Sequence, residues 1–312
     1  MDRPFRLRRC VLSVPGNREK MLEKAKNIDV DMVMLDLEDS VPVDDKVRAR
    51  HLVAEFLKEG GEWGSKGRSV RINPMDSPYA YRDLVEVVEK AGEFIDSIVI
   101  PKVNHPCEVR AVDYFLSQIE QAMGFPVGRI GLEASIETAE GLLRVEEIAF
   151  SSQRLESLVF GIADYAASVG AMVKGISGHG DAEDFYPGHR WHFPLSRMIM
   201  AAKAAGLVAI DAPYGNYKDE AGLRSSCLLS AALGCDGKWA IHPDQIAIIQ
   251  EVFSPSEEDI ERSRKIVEAY ESSKREGRGS LAIDGKMIDA ASIRIARRIC
   301  AYAELMGKSE KK

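Results

Sequence analysis

Eight short apolar runs recur along this 312-residue chain, and most of them are separated by stretches long enough for a helix. Apolar runs that alternate with amphipathic segments predict strands that alternate with helices. Eight such units within about 250 residues predict an α/β fold of the (β/α)8 TIM-barrel type. An open doubly wound sheet is the rival fold, but VPGNR after the first run is too short for a glycine-rich phosphate loop. The runs are CVLSV (10–14), MVMLDL (32–37), SVRIN (69–73), SIVIPKV (97–103), RIGLEASI (129–136), LVFGIA (158–163), LVAIDA (207–212) and KWAIH (238–242).

The C-terminal part of the chain departs from this alternation. Residues 253–277 predict a helix that opens at Ser254 or Ser256 and carries acidic residues in its first turn. Glycines at 277, 279 and 285 mark turns, and a second helix is expected from about Asp289. We therefore predict a barrel domain over residues 1–252 and a small helical lid or oligomerisation segment over residues 253–312.

Composition and charge narrow the class of protein. The net charge is −7, with 42 basic and 49 acidic residues, which argues against a general nucleic-acid binder. The apolar run after the basic start ends at Pro15, too short for a secretory signal, and no run approaches the length of a membrane span. Five scattered cysteines without a CxxC pair are typical of reduced thiols. We expect a cytoplasmic protein with neither a nucleic-acid nor a membrane partner.

Polar residues fall at the C-terminal ends of nearly all the predicted strands. In TIM barrels the catalytic groups occupy that end, and a purely structural barrel has no need for so many polar groups there. We therefore expect a functional site at this mouth of the barrel. The residues concerned are Asn17, Arg18, Asp36, Glu38, Asp39, Arg71, Asn73, Lys102, Glu137, Asp164, Asp211 and His242.

Glu137 and Asp164 predict a site for a hard cation. They follow consecutive apolar runs, where a carboxylate is costly unless it is solvated, paired or bound to a cation. Oxygen ligands suit Mg²⁺, which keeps several waters and needs only one or two protein carboxylates. Mn²⁺ is an alternative cation. The structural alternative is a pair of strand-end carboxylates that accept hydrogen bonds from nearby amides.

Nine motifs in register resemble the family of citrate lyase β subunits, malyl-CoA lyases and citramalyl-CoA lyases, within the HpcH/HpaI aldolase superfamily. They cover nearly the whole chain, and KWAIHPDQI together with the long loop ending PGHRWHF looks closest to malyl-CoA lyases. The resemblance implies a (β/α)8 barrel with a C-terminal lid, a homotrimer or homohexamer, and Mg²⁺-dependent cleavage of a 3-hydroxyacyl-CoA. The motifs are CVLSVPGNREKM, LDLEDSV, RINP, PKV, IETAEGLL, FGIADYAASVGA, DAPYGNYKDEAGL, GKWAIHPDQI and GKMIDAA.

The resemblance also implies roles for individual residues. Glu137 and Asp164 match the metal ligands of the family, and Arg71 matches its substrate-binding arginine. Asp289 matches a lid aspartate that reaches into the site of a neighbouring subunit. Its residue type alone is equally consistent with a helix N-cap. The expected reaction converts malyl-CoA to acetyl-CoA and glyoxylate.

Three other functions stay open at this point. One is a citryl lyase subunit that acts on an acyl carrier protein, and a second is a malyl-CoA thioesterase. The third is a binding or scaffold protein with a degenerate barrel. Among lyase substrates, β-methylmalyl-CoA and citramalyl-CoA differ from malyl-CoA by one methyl group, which a pocket discriminates by only about 1–3 kcal/mol.

Arg71 is the expected binding group for the substrate, because its guanidinium presents a fixed fork of donors. It could hold the thioester oxygen as the enolate forms, or grip a carboxylate. A salt bridge to Asp36 or Glu38 is the structural alternative, and an arginine held in that way is also better preorganised. We therefore expect Asp36 and Glu38 to support the site. For Asp39, a role as a helix cap is equally plausible.

Coenzyme A contacts are expected at Arg18, Lys20 and Lys24, since these cations lie at or after the end of the first strand. Solvated surface charge is an equally good interpretation. Lys102 raises the option of a Schiff-base mechanism, which a metal pair makes redundant. His242 is expected to orient the eighth-strand loop. The long loop 174–193 carries His179, His189 and His192, and it predicts a polar lid rather than a histidine metal site.

Overall fold

The computed structural model describes residues 6–59, 63–171, 190–275, 281–283 and 286–307. It divides into two compact units, Met1–Phe253 and Ser254–Lys312. Most of the long loop that the sequence predicts to be a lid, including His179 and His189, lies outside the described residues, as do the glycines at 277, 279 and 285.

Eight parallel strands close into a barrel, which confirms the predicted fold class. Each strand pairs with the next one along the chain, and β8 pairs with β1 to complete the circle. All the connections are therefore strand–helix crossovers of the TIM-barrel kind. The strands are β1 (Cys10–Pro15), β2 (Met32–Asp36), β3 (Gly67–Arg71), β4 (Ser97–Ile100), β5 (Gly131–Ile136), β6 (Leu155–Phe160), β7 (Val208–Asp211) and β8 (Gly237–Ala240).

Helices surround the barrel and bury one apolar face each. The third of them shows the pattern, with Leu84, Val87 and Val88 buried at helical spacing. The helices of this unit are α1 (Glu19–Lys26), α2 (Lys46–Glu59), α3 (Ala80–Ala91), α4 (Pro106–Met123), α5 (Ala139–Leu143), α6 (Val145–Ala149), α7 (Ile162–Ser168), α8 (His192–Ala204), α9 (Glu220–Leu233) and α10 (Ile246–Val252).

The barrel interior is packed rather than open. A small apolar cluster that includes Met34, Val99 and Trp239 is separate from the larger core that joins strands to helices. Near the N-terminal ends of the strands, the buried Arg8 forms ion pairs with Glu156 and with Glu133, the latter at 3.5 Å. Packed side chains and ion pairs thus fill the barrel interior and the N-terminal end around Arg8.

The second unit contains two helices and a hairpin. Helix α11 (Glu257–Arg275) packs against α12 (Ala290–Leu305), and β9 (Leu281–Ile283) pairs antiparallel with β10 (Lys286–Ile288). Ser256 caps α11, since its hydroxyl accepts a hydrogen bond from the amide of Asp259 at 3.1 Å. The sequence predicted both helices but not the hairpin, because three-residue strands leave too short a pattern to read. Across the described ranges of both units, no helix is long and apolar enough to cross a membrane.

Candidate active site

Glu137 is buried at the mouth of the barrel, directly after β5. Because inward and outward side chains alternate along a strand, Glu133, Ser135 and Glu137 share the interior face. The backbone amide of Lys102, which follows β4, donates to Glu137 Oε1 at 2.6 Å. Two neighbouring strand ends thus fix one carboxylate at the position that TIM barrels use for chemistry.

Asp164 reaches the same site from a helix rather than from a strand. The predicted strand 158–163 is too long, because β6 ends at Phe160 and α7 begins at Ile162. Asp164 is in the first turn of α7, where the helix dipole favours a negative charge. The Asp164 side chain is 38% exposed, so it lies at the edge of the site.

Gly161 provides the space for Glu137. A Cβ atom at this glycine would lie 2.2 Å from Glu137 Oε2 and 2.4 Å from its Cβ. Real Cβ contacts do not approach so closely, so any other residue would displace the carboxylate. The glycine in the FGIADYA motif is therefore part of the site's construction.

Arg71, the last residue of β3, is fixed by two carboxylates. Its Nε and Nη2 donate to the two oxygens of Asp36, each at 2.7 Å, and its Nη1 lies 2.9 Å from Glu38 Oε2. The guanidinium also lies over the ring of Trp239, 5.5 Å from the ring centroid. Burial opposes the charge of Arg71, but Asp36 outweighs burial and raises its pKa. The arginine is thus a permanently charged, preorganised donor.

Lys102 connects the acidic groups of the mouth. Its ammonium donates to Glu38 at 2.6 Å and to Asp39 at 3.1 Å, and it lies 3.7 Å from Asp164 Oδ1. Burial lowers the pKa of Lys102, but the hydrogen bond and charge of Glu38 raise it further, so the net shift is upward. A protonated, ion-paired lysine cannot attack a carbonyl, which argues against a Schiff base. Asp39 contacts this lysine and does not cap a helix, since the following 3₁₀ turn has Pro42 at its N-cap.

The two proposed metal ligands carry more negative charge than their surroundings neutralise. Burial raises the pKa of Glu137 to about 7, with repulsion from Asp164 adding to the effect and Arg71 opposing it. Burial also raises the pKa of Asp164, and repulsion from Asp39 contributes. A divalent cation between these oxygens would stabilise the charged form of both carboxylates, against burial and against their mutual repulsion. The donor set therefore fits Mg²⁺. The described residues contain no cluster of three or more metal-ligating side chains. Mg²⁺ in proteins commonly uses only one or two carboxylates and keeps several waters.

Comparison with known proteins identifies the family. Residues 9–243, most of the barrel, match the HpcH/HpaI aldolase/citrate lyase family. The chain belongs to this family. It is 43% identical over 97% of its length to an L-malyl-CoA/β-methylmalyl-CoA lyase from Rhodobacter capsulatus, of which the match covers 96%.

Two further relatives mark the functional range of the family. A malyl-CoA/β-methylmalyl-CoA/citramalyl-CoA lyase from Chloroflexus aurantiacus is 34% identical, with 98% of this chain and 91% of the relative covered. A (3S)-malyl-CoA thioesterase from Cereibacter sphaeroides is 36% identical, with 96% and 95% covered. Among solved structures, CitE from Mycobacterium tuberculosis in complex with magnesium, acetoacetate and coenzyme A has a TM-score of 0.71 at 25% identity, covering 95% and 97% of the two chains.

Two of the residues predicted at the mouth of this HpcH/HpaI barrel, Asp211 and Asn73, have structural roles instead. The expectation that Asp211 faces the site is wrong: Ile210 points into the barrel, so Asp211 points outward and pairs with the buried Lys238. Asn73 donates to Asp83 of α3 at 2.6 Å. These residues satisfy buried partners behind the strands and are not available to a ligand.

Two other predicted residues lie at turns near the mouth. Asn17 donates to Asp45 at 2.8 Å, which ties the end of β1 to the 3₁₀ turn after β2. His242 caps the 3₁₀ turn after β8 and stacks on Tyr217, with ring centroids 4.4 Å apart. A capping role agrees with the prediction that His242 orients the loop.

Arg18 directly precedes α1, Lys20 lies in its first turn and Lys24 in its last turn, and all three residues are exposed. Among the described residues they form no ion pair, so their charges are free to meet an anion. Asp289 lies in the other unit, exposed, and caps α12: its Oδ1 accepts from the amide and the hydroxyl of Ser292 at 2.8 and 2.9 Å. The N-cap interpretation of Asp289 is therefore correct at the level of local structure.

Sequence reasoning missed two parts of the site. In the sequence, Gly161 and Trp239 stand out only as members of apolar runs and family motifs, yet they define the space for Glu137 and the surface under Arg71. The signal for Gly161 was present, because a glycine between a strand and a helix often marks a close approach. Trp239 gave no such signal, since its contact with Arg71 depends on closure of the barrel.

Proposed function

We propose that this chain is a Mg²⁺-dependent carbon–carbon lyase that cleaves malyl-CoA to acetyl-CoA and glyoxylate. β-Methylmalyl-CoA and citramalyl-CoA are the proposed secondary substrates, since each adds one methyl group. The observation that carries the proposal is Arg71, held by two hydrogen bonds from its Nε and Nη2 to Asp36 at the rim of the acidic pair Glu137 and Asp164.

Glu137 and Asp164 are the residues that would hold the cation. When bound, Mg²⁺ supplies a Lewis acid that polarises the oxygens of the 2-hydroxyacid fragment and orients that fragment. The chain's own contribution is the geometry: the Lys102 amide fixes one oxygen of Glu137, and Gly161 leaves room for the other. A carboxylate held in this way needs no rearrangement when substrate arrives.

Arg71 is the proposed group for the developing charge. In the cleavage, the hydroxyl group loses its proton to water and its oxygen becomes the aldehyde oxygen of glyoxylate. The carbon–carbon bond breaks, and its electron pair forms an enolate on the acetyl thioester. Two of the guanidinium N–H groups are committed to Asp36 and a third faces Glu38, so the rest of the fork is free to donate to the enolate oxygen. Because Arg71 is fixed beforehand, this stabilisation costs little reorganisation in the transition state.

Asp289 is proposed to move the proton to the acetyl carbon. We assign it from a neighbouring subunit of a homotrimer or homohexamer, as the family resemblance implies. Asp289 lies directly before α12 and is exposed, and its Oδ1 accepts hydrogen bonds from Ser292. Protonation of the enolate carbon by this acid completes acetyl-CoA.

Arg18, Lys20 and Lys24 are the proposed contacts for the phosphates of coenzyme A. Arg18 and Lys20 follow the first strand at the catalytic end of the barrel, and Lys24 lies in the last turn of the same helix. All three are exposed, and phosphate groups are bound by such donors. The five cysteines are free thiols, which supports the prediction of a cytoplasmic protein.

A malyl-CoA thioesterase is the second candidate, because a relative with that name is 36% identical to this chain. In that reaction water attacks the thioester and the products are malate and free coenzyme A. A citryl lyase acting on an acyl carrier protein is a third, and it requires a partner protein.

Product analysis of the pure chain tests the proposal. The protein is incubated with malyl-CoA and with citramalyl-CoA, in Mg²⁺ and after chelation. We expect glyoxylate and acetyl-CoA in equal amounts from malyl-CoA, and none after chelation. Malate with free coenzyme A would identify the thioesterase instead. Activity that appears only with an acyl carrier protein would identify the citryl lyase subunit, and activity indifferent to chelation would remove the metal from the proposal.

A further inference from the structure

Lys102 contacts both proposed metal ligands, one through its backbone amide and the other through its side-chain ammonium. Its backbone amide donates to Glu137 Oε1 at 2.6 Å, and its ammonium lies 3.7 Å from Asp164 Oδ1. The ammonium is anchored on the far side by Glu38 at 2.6 Å and Asp39 at 3.1 Å. A single residue therefore sits between two pairs of acidic side chains.

The backbone of Lys102 is held in a conformation that side chains disfavour. Its φ is +50°, and among the residues that the structure describes it is the one non-glycine residue with a positive φ. Such strain persists where the surroundings over-determine it, most often at functional sites. In this left-handed conformation, the backbone amide of Lys102 donates to Glu137 and its ammonium donates to Glu38.

The charges around Lys102 explain what the ammonium does. Asp36 is neutralised by Arg71, but Glu38 has only part of that guanidinium and Asp39 is half exposed. Without the lysine, Glu38 and Asp39 would form a second pair of carboxylates beside Glu137 and Asp164. A divalent cation would then have two neighbouring acidic positions to choose from.

We propose that Lys102 is a positioning residue that confines the cation to Glu137 and Asp164. Its ammonium pairs with Glu38 and Asp39, so that these acids do not become metal ligands. It also offsets the charge of Asp164 while no cation is bound. The cost is direct competition between the ammonium and the divalent ion near Asp164. This inference rests on the proposed metal-dependent function, because it needs a cation at that pair.

Mn²⁺ binding to the metal-free full chain tests the inference, with Lys102→Met and Lys102→Arg as a matched pair. Methionine matches the four-atom apolar stem of lysine and makes the same demand on the backbone but removes the charge, whereas arginine keeps the charge. Affinity and stoichiometry are measured from the electron paramagnetic resonance signal of free Mn²⁺. Melting temperature is measured in chelator and in Mn²⁺.

We expect Lys102→Met to bind Mn²⁺ at least about tenfold more tightly, or to take up a second ion, because a nearby positive charge is lost and two acids are released. It should melt at a lower temperature than wild type in chelator and recover in Mn²⁺. Lys102→Arg should stay within about threefold of wild type, because it changes no charge. If Lys102→Met fails to fold, Lys102→Gly replaces it, since glycine accepts the positive φ without strain.

Equal or weaker Mn²⁺ binding by Lys102→Met with one ion per chain, or an unchanged melting temperature in chelator, would overturn the inference while leaving the lyase proposal intact. If the wild-type chain itself binds no Mn²⁺ and cleaves malyl-CoA in the presence of chelator, both proposals fall. The two failures are thus distinguished by the wild-type titration.

Discussion

Asp36 and Arg71 are joined by two hydrogen bonds of 2.7 Å between strands β2 and β3 at the mouth of the barrel. The two residues are adjacent in the sheet register, where Asp36 lies opposite Arg71. Both are buried, and their mutual attraction outweighs the desolvation of each charge: burial alone would raise the pKa of Asp36, but Arg71 lowers it. The pair fixes the position of the guanidinium before substrate arrives.

Asp36→Asn is expected to lower kcat/KM by about 100-fold, because Arg71 loses its orientation while its charge remains. Unfolding free energy should also fall, by about 3 kcal/mol, since a buried arginine loses its main partner. Steady-state kinetics with malyl-CoA and denaturant unfolding measure the two effects.

Asp83→Asn is the matched control, because Asp83 is equally buried and accepts a hydrogen bond from Arg50 at 2.8 Å, but it contacts the scaffold residue Asn73 rather than Arg71. It should destabilise the protein to a similar degree with kcat/KM nearly unchanged. A parallel loss of activity in both variants would show that Asp36 acts only through stability.

Gly161→Ala should disrupt the cation site without touching a ligand. The added Cβ would lie 2.2 Å from Glu137 Oε2, so the carboxylate must move. We expect Mn²⁺ affinity and kcat/KM to fall by about tenfold or more, because a displaced ligand loses its coordination geometry. Ala167→Ser, on the exposed side of the same helix α7, is the control and should match wild type. Wild-type Mn²⁺ affinity in Gly161→Ala would contradict the assignment of Glu137 as a ligand.

The stability of the metal-free protein should depend on the protonation of Glu137. Burial raises the pKa of Glu137 from an ordinary value of 4.5 to about 7, so the folded state binds more protons than the unfolded state between these values. The free energy of unfolding should therefore fall as the pH rises from about 4.5 to 7.

Glu137→Gln should remove this dependence and stabilise the metal-free protein above pH 7 by up to about 3 kcal/mol, since one unit of pKa corresponds to about 1.4 kcal/mol. Denaturant unfolding in chelator at pH 5 and pH 8 gives the comparison. The same variant should lose Mn²⁺ binding. A stability gain that is equal at both pH values would disagree with the raised pKa.

Asp289 has a local role and a proposed catalytic role, and two substitutions separate them. Asp289→Asn keeps a good N-cap for α12 but cannot donate a proton, whereas Asp289→Ala loses both functions. We expect kcat to fall by about 100-fold or more in both variants. Only the alanine variant should lose stability, by about 1 kcal/mol. Full activity in Asp289→Asn would reduce this residue to a helix cap.

Charge reversal on α1 tests the coenzyme A contacts. The double variant Lys20→Glu, Lys24→Glu should raise KM for malyl-CoA by about tenfold or more and leave kcat nearly unchanged. The reason is that contacts to coenzyme A stabilise the bound substrate and the transition state equally. The effect should shrink at high salt, because exposed charges are screened. Lys58→Glu, in the last turn of α2, is the control and should leave KM unchanged. A KM that does not move in the double variant would place the cofactor elsewhere.

Much of the fold followed from the sequence because its signals are local. Each strand of the barrel is a short apolar run, and each run bounds a helix-length segment, so the order of elements specifies a TIM barrel without long-range information. The ends of the elements were less accurate. The run 158–163 was predicted as one strand, but the strand ends at Phe160 and α7 begins at Ile162, which moves Asp164 from a strand end to a helix.

The sequence proposes candidates for the site, because charged groups that follow apolar strands stand out and the family motifs place them in register. It does not show which of them pair. Asp36, Glu38 and Lys102 are spread along the chain, and only closure of the barrel brings the lysine to Glu38 and the aspartate to Arg71.

The sequence therefore determined which chemical groups the mouth contains, since residue type and position relative to a strand are local properties. The tertiary structure decided which of them face the site and which neutralise one another. Asp211 shows the difference: its place at a strand end is visible in the sequence, but a side chain one position further along a strand points to the other face. Burial and charge pairing, which set the pKa of Glu137, exist only once the strands have closed.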